Sequence, residues 1–150
     1  MDPHPDFEDR TIPQNHDLGV ATLRMLTKAE LDEDMAAIED SHDELIGIFG
    51  GRWPEGLTRE ADLIDLCWHE REFSAKRSFA WIVADPDDGS YQGCAYVYPD
   101  IGTRGRAKAY FWLRSKTSLN PPLVRRAFAD WVTGPDWPKL KIEWPSPSSE

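Results

Sequence analysis

Glycine is missing from the stretch of this chain where a phosphate loop would need it. None of its 10 glycines falls between Gly105 and Gly134. The junction Leu113-Arg114-Ser115-Lys116-Thr117-Ser118-Leu119-Asn120-Pro121-Pro122 therefore has none. That excludes a Walker loop or a dinucleotide-type glycine fingerprint there. Cysteine is equally scarce. Cys67 and Cys94 are the only two and have no Cys-x-x-Cys spacing, which excludes a disulfide framework and suits a reducing cytosol. They read as core thiols rather than nucleophiles. Histidine is sparse too. His69-Glu70-Arg71-Glu72 is followed by Phe73, so it is not a His-Glu-x-x-His metal motif, and no metal is expected. No apolar run approaches 18 residues, so no membrane span is expected. Met1-Asp2-Pro3-His4-Pro5-Asp6 lacks the basic and apolar segments of a secretory signal, so the expected location is cytoplasmic. Cations are short in the front half. Residues 1–72 carry 6 Lys/Arg against 19 Asp/Glu, and residues 73–150 carry 11 against 8. That imbalance argues against nonspecific nucleic-acid binding, which needs clustered cations.

What is present suffices for one domain. The 150 residues are 40% hydrophobic and include seven tryptophans, enough for a sizeable core. Residues 1–17 are polar and acidic and read as a loosely tied, flexible arm, residues 18–145 as one domain, and residues 146–150 as a disordered tail. Val20–Leu26 alternates as a strand. Thr27-Lys28-Ala29-Glu30 has the form of a capping box. The helix after it carries Leu31, Met35, Ile38, Leu45 and Phe49 on one face and ends at Gly50-Gly51. Thr58 caps a second helix with Leu63, Leu66, Cys67 and Phe73 as its apolar side. Phe79–Ala84 and Gly93–Tyr98 form a hairpin around Asp85-Pro86-Asp87-Asp88-Gly89. Ala107–Arg114 is a third strand, Pro121–Val132 a helix with Leu123, Ala127, Phe128 and Trp131 as its core stripe, and Leu140–Trp144 a last strand.

Three groups of residues suggest chemistry. His69 and Glu72 share a helix face, read as solvated or as an acid–base pair. Tyr96 and Tyr98 share a strand face, as do Tyr110, Trp112 and Arg114. Those rings make either core or a flat-walled ligand pocket. Arg114, Ser115, Lys116, Thr117 and Ser118 place two cations and three hydroxyls at a strand-to-helix corner, as a polar loop or as phosphate ligands.

The element order, with the runs Trp68-His69-Glu70-Arg71-Glu72-Phe73, Phe79-Ala80-Trp81-Ile82-Val83, Gly93-Cys94-Ala95-Tyr96-Val97-Tyr98-Pro99, Tyr110-Phe111-Trp112-Leu113-Arg114 and Ala129-Asp130-Trp131-Val132, resembles the Gcn5-related N-acetyltransferase (GNAT) superfamily. More narrowly, it resembles a group of small bacterial GNAT-like proteins, across roughly residues 20–145. The resemblance implies an α+β fold: a mixed, mostly antiparallel sheet with helices on both faces, truncated at the C-terminus before the usual last helix and strands. It implies an acyl-CoA-dependent N-acyltransferase, active or degenerate, that takes acetyl-CoA or CoA as cosubstrate and a small-molecule amine or peptide as acceptor. Under it, Trp112, Leu113, Arg114, Ser115, Lys116 and Thr117 would hold the acyl-CoA, and Arg125 and Arg126 would reach its 3′-phosphate or face water. Glu70 or Glu72 would take the amine proton, and Tyr98 or Tyr110 would protonate the thiolate. The chain departs from the family at Pro121-Pro122, which stand where the family's glycine loop donates amides to a pyrophosphate. The alternatives are a noncatalytic small-ligand-binding module on the same scaffold, or a self-associating interaction protein. A homodimer that completes the sheet edge is one form of the latter.

Overall fold

The computed structural model describes residues 2–145, so the tail expected at 146–150 lies outside the described residues. Ten elements follow in order: β1 (Asn15–Asp17), β2 (Thr22–Met25), α1 (Leu31–Asp40), α2 (His42–Leu45), α3 (Arg59–Ser74), β3 (Phe79–Ala84), β4 (Tyr91–Pro99), β5 (Arg106–Leu113), α4 (Pro121–Val132) and β6 (Lys141–Glu143). The strands form one sheet in sequence order. Every neighbouring pair is antiparallel except β5 and β6, which run parallel through the crossover helix α4.

Side-chain alternation gives the sheet two buried faces. On one, Phe79, Trp81 and Val83 of β3 and Ala95 and Val97 of β4 meet Val124, Phe128, Trp131 and Val132 of α4. Trp81 is the hub of that face. It packs on Phe73, Phe128, Trp131 and Trp137 with ring centroids 5.3–6.1 Å apart, and its indole N–H donates to the Pro13 carbonyl at 3.1 Å. On the other face, Ala80, Ile82, Cys94 and Tyr96 lie beneath Ala37 and Ile38 of α1, Leu45 of α2 and Leu66 of α3.

Several expectations are corrected. The first 17 residues were expected to be a loose arm. Instead, Phe7 and Ile12 are buried in the Trp81 core, β1 pairs with β2, and His4 reaches the Asp100 carbonyl at 2.7 Å. Two apolar anchors, a strand pairing and a hydrogen bond hold a segment whose average composition is polar and acidic. The capping box does not form, because Thr27 makes no side-chain cap and Glu30 accepts from Arg24 at 3.2 Å. The helix expected to run to Phe49 stops at Ser41, whose hydroxyl is taken by the Ser115 amide at 2.9 Å. On α3, Cys67 is exposed and Leu63 is 38% exposed, while Asp62, Leu66, His69 and Phe73 are buried. That 4-3-4 spacing is an inward stripe with two polar members. On α4, Leu123 faces outward and Val124 inward.

Gly93 sets how closely β4 and β5 approach at the end where the cleft opens. It pairs with Leu113, and a Cβ there would meet the Trp112 carbonyl oxygen at 2.0 Å and the Leu113 Cα at 2.8 Å. Gly93→Ala is expected to push the strands apart and cost about 1–3 kcal/mol. That corresponds to a fall of roughly 3–10 °C in melting temperature by circular dichroism, and an unchanged melting temperature would contradict the close approach.

Candidate active site

The candidate site is a cleft between β5 and α4. β6 pairs with β5 only at Arg106, Ala107 and Lys108. Beyond Lys108 the two part. Trp144 turns onto α4, its ring 5.9 Å from that of Phe128 and under the Arg125 guanidinium at 5.3 Å. The Arg106 carbonyl accepts from Asp100 and the Arg114 amide donates to Gln92 at 2.7 Å, so the even-numbered residues of β5 bond toward β4. In a regular strand the odd ones then point the other way. The N–H and C=O groups of Ala109, Phe111 and Leu113 thus face the open side, and no strand pairs with them among the described residues. The cleft there measures about 470 Å³, with Leu45, Ile48, Phe111, Leu113, Pro121 and Pro122 as apolar walls and Glu44 and Arg125 at its edge. A recess of about 110 Å³ continues it past Tyr110 to Trp144.

Most of the corner expected to bind phosphate is engaged internally. Arg114 pairs with Asp40 and donates to the Tyr91 carbonyl at 3.2 Å. Thr117 Oγ1 donates to Gln92 at 2.8 Å, Ser115 bonds to Ser41, and Ser118 Oγ donates to Asp85 at 2.6 Å. The first turn of α4 is also saturated. Pro121 and Pro122 carry no N–H, the Leu123 amide donates to Asn120 Oδ1 at 3.2 Å, and the Val124 amide donates to the Asn120 carbonyl at 3.1 Å. Lys116, Arg125 and Arg126 are exposed. Trp112 and Leu113 line the cleft.

The expected acids and bases are not gathered at one place. Tyr110 lines the recess, and the Tyr98 ring lies 5.5 Å from it. Burial pushes the Tyr98 hydroxyl well above its ordinary pKa. Glu70 and Glu72 sit on α3 and do not line the cleft. Glu70 accepts from the Lys28 amide at 3.2 Å, and Glu72 is buried against Arg77 at 3.4 Å. The flat-walled aromatic pocket is filled, because Phe49 packs on Tyr96, Tyr98 and Tyr110 with centroids 4.9–6.5 Å away. The carboxylate at the cleft is Glu44, which carried no sequence signal.

A buried polar row under α1 and α3 likewise carries no sequence signal. Tyr91 donates to Asp34, and its hydroxyl oxygen lies 2.9 Å from Cys94 Sγ. Since the Tyr91 proton goes to Asp34, the thiol donates to Tyr91. The Trp112 indole donates to Tyr96 at 3.0 Å. Asp34 also faces Asp62, whose two buried oxygens meet no donor among the described residues, as two carboxylates share no proton unless one stays protonated. Burial first, then the hydrogen bond to and the charge of Asp34, push Asp62 up to about 9. Burial also raises Asp34 and holds the Cys94 thiol well above its usual range, which makes Cys94 a poor nucleophile. The Asp62 value lies above the ordinary 3.8. The folded state therefore keeps a proton that the unfolded chain releases, and stability falls as pH rises from about 4 toward 9. Asp62→Asn supplies a permanent donor to Asp34. Its melting temperature at pH 8 is expected to exceed that of the parent by roughly 3–8 °C, and the gap should narrow at pH 5. Parallel pH profiles for the two proteins would rule out a retained proton.

No family model and no curated protein sequence matches the chain. Solved structures do. The ribosomal-protein-S5-alanine acetyltransferase from Vibrio fischeri superposes with a TM-score of 0.63 at 14% identity, over 79% of this chain and 67% of that one. The Salmonella typhimurium acetyltransferase that modifies the N-terminal serine of ribosomal protein L7/L12 gives 0.61 at 8% identity, over 75% and 63%. The microcin C7 self-immunity acetyltransferase MccE, in complex with acetyl-CoA and AMP, gives 0.65 at 12% identity, over 82% and 67%. The chain spans about two thirds of the length of these proteins. Its α+β architecture, a mostly antiparallel sheet with helices on both faces, is the fold of the GNAT acetyltransferases.

Proposed function

We propose that the chain is a GNAT-fold acyltransferase that takes an acyl thioester of pantetheine in the β5–α4 cleft and passes the acyl group to an amine. The observation that carries this reading is the free edge at Ala109, Phe111 and Leu113. Pantetheine is an extended chain with two amides, and such a chain satisfies a bare strand edge as another strand would. The apolar walls suit its methylene and dimethyl groups.

The fit to a whole acyl-CoA is partial. The strand edge suits the pantetheine arm, but the first turn of α4 has no amide left for the pyrophosphate. Phosphate contact falls to the side chains of Lys116, Arg125 and Arg126. Acyl-CoA would bring the activated carbonyl. Of the chain's own groups, an outward N–H of β5 polarises that carbonyl. Glu44 accepts the amine proton, a role that Glu70 and Glu72 cannot fill from α3 without moving. Tyr110, from the recess, gives a proton to the departing thiolate. The acceptor is an amine, as in a small molecule or a peptide terminus. The saturated helix start favours a second reading, in which the scaffold binds the thioester and does not turn it over.

A titration tests this directly. Acetyl-CoA and S-acetylpantetheine are both expected to raise the melting temperature, by roughly 5–10 °C at 100 times the dissociation constant. Their affinities should lie within about tenfold of each other, since the nucleotide adds little. Tyr110→Phe is expected to lower turnover by roughly 10²-fold or more with binding intact. Binding without transfer to any amine would establish the second reading, and no shift with either thioester at millimolar concentration would overturn both.

A further inference from the structure

A second cavity lies at the other end of the sheet, and it shares no lining residue with the cleft. It measures about 400 Å³ and is enclosed by the first residues of the chain, the C-terminal half of α3 and the turn after β4. The His4 bond to the Asp100 carbonyl at 2.7 Å holds the N-terminal segment across it. Its walls are mostly apolar: Pro3, Pro5, Trp68, Pro99 and Ile101. Trp68 is 38% exposed and Ile101 92% exposed, so two large apolar side chains stand at its rim without cover.

Its polar groups point to a particular chemistry. Ser78 lines the cavity and is 6% exposed, and its hydroxyl has no hydrogen-bond partner among the described residues. Such a group is costly unless something meets it. Glu72 lines the same wall at 7% exposure. Its carboxylate is met by Arg77 at 3.4 Å, while Arg71 stands 4.0 Å away, beyond hydrogen-bond reach. Asp2 adds a second acid against the single guanidinium of Arg77, and His4 and Tyr98 are the other titratable groups in the lining. The lining thus holds two acids and one guanidinium, with Arg71 facing Glu72 from outside it. The rings of Trp68 and Tyr98 stand 6.4 Å apart at 63°, two π faces that attract a cation placed near them.

We propose that this cavity binds a small primary amine with an apolar body, its ammonium held by Glu72, Ser78 and the Trp68–Tyr98 faces. An ammonium has three N–H donors and no acceptor. The Ser78 hydroxyl, the Glu72 carboxylate and the Tyr98 phenol oxygen offer it three acceptors. The hydrocarbon part fills the space against Pro5, Pro99 and Ile101. The site is separate from the cleft and does not depend on what the cleft binds.

Phenethylammonium is a suitable probe, with 2-phenylethanol as its neutral counterpart, each followed by NMR at the Trp68 indole N–H and the Ile101 amide. Phenethylammonium is expected to give saturable shifts at both positions, and the alcohol to bind at least about tenfold more weakly. Glu72→Gln, Ser78→Ala and Trp68→Ala should each weaken amine binding, Glu72→Gln by roughly tenfold or more. Circular dichroism checks that each variant is folded, and if Glu72→Gln does not fold, the other two decide. Saturating S-acetylpantetheine is expected to leave amine binding unchanged. The proposal is overturned by absent saturation with millimolar amine, by equal affinity for the alcohol, by folded variants that bind as the parent does, or by competition from the thioester.

Discussion

The parallel pairing of β6 with β5 ends after three residues, and the rest of the candidate site depends on that ending. Two strands that stayed paired would satisfy every backbone group on the outer edge of β5 and leave no cleft. The separation has a physical cause in the side chains. Trp144 follows directly on Glu143 and packs against Phe128 and Arg125 of α4, which draws the chain off the sheet. Pro145, next along, has no N–H to offer a ladder. α4 in turn is anchored by Phe128 and Trp131 in the core around Trp81. The open edge is thus held from below by the most densely aromatic part of the molecule.

The corner above the cleft shows how a shared fold and a shared ligand site can part company. A helix N-terminus is a general anion site only while its first amides are free. Here two are replaced by proline and two are bonded to Asn120, so the helix dipole remains but the donors do not. The loop before it is tied down as well, with Arg114 on Asp40, Ser115 on Ser41 and Thr117 on Gln92. These bonds link the loop after β5 to the C-terminal end of α1 and to β4. They stabilise the corner by the same groups that would otherwise be available to a phosphate. The strand edge, by contrast, is made of backbone and keeps its capacity whatever the side chains do.

The polar row between α1, α3 and β4 is a different kind of constraint. Trp112, Tyr96, Cys94, Tyr91, Asp34 and Asp62 lie where an apolar layer would also pack. Hydrogen bonds have direction, so the row positions α1 and α3 against β4 more specifically than hydrophobic contact does. The stability it costs grows with pH, because Asp62 must stay protonated to serve as a donor.

Elements with strong local signals were legible before any coordinates: the β3–β4 hairpin with its Asp-Pro-Asp-Asp-Gly turn, β5, the proline start of α4 and the resemblance to the GNAT fold. It also located the glycine-free corner, because a missing residue type is visible without coordinates. Side-chain periodicity put Trp112 and Tyr110 on one face of a strand, and both proved to line the cleft region. Which polar groups were already bonded became visible only once the chain was folded. Arg114, Ser115 and Thr117 look free in a sequence, and their partners Asp40, Ser41 and Gln92 are 25–74 residues away. The same distance in sequence hid the Asp34–Asp62 pair, the burial of Phe7 and Ile12, and the cavity that joins residues 2–5 to α3 and the turn after β4. Local pattern reports what a residue can bond to, and the fold alone reports what has already bonded to it.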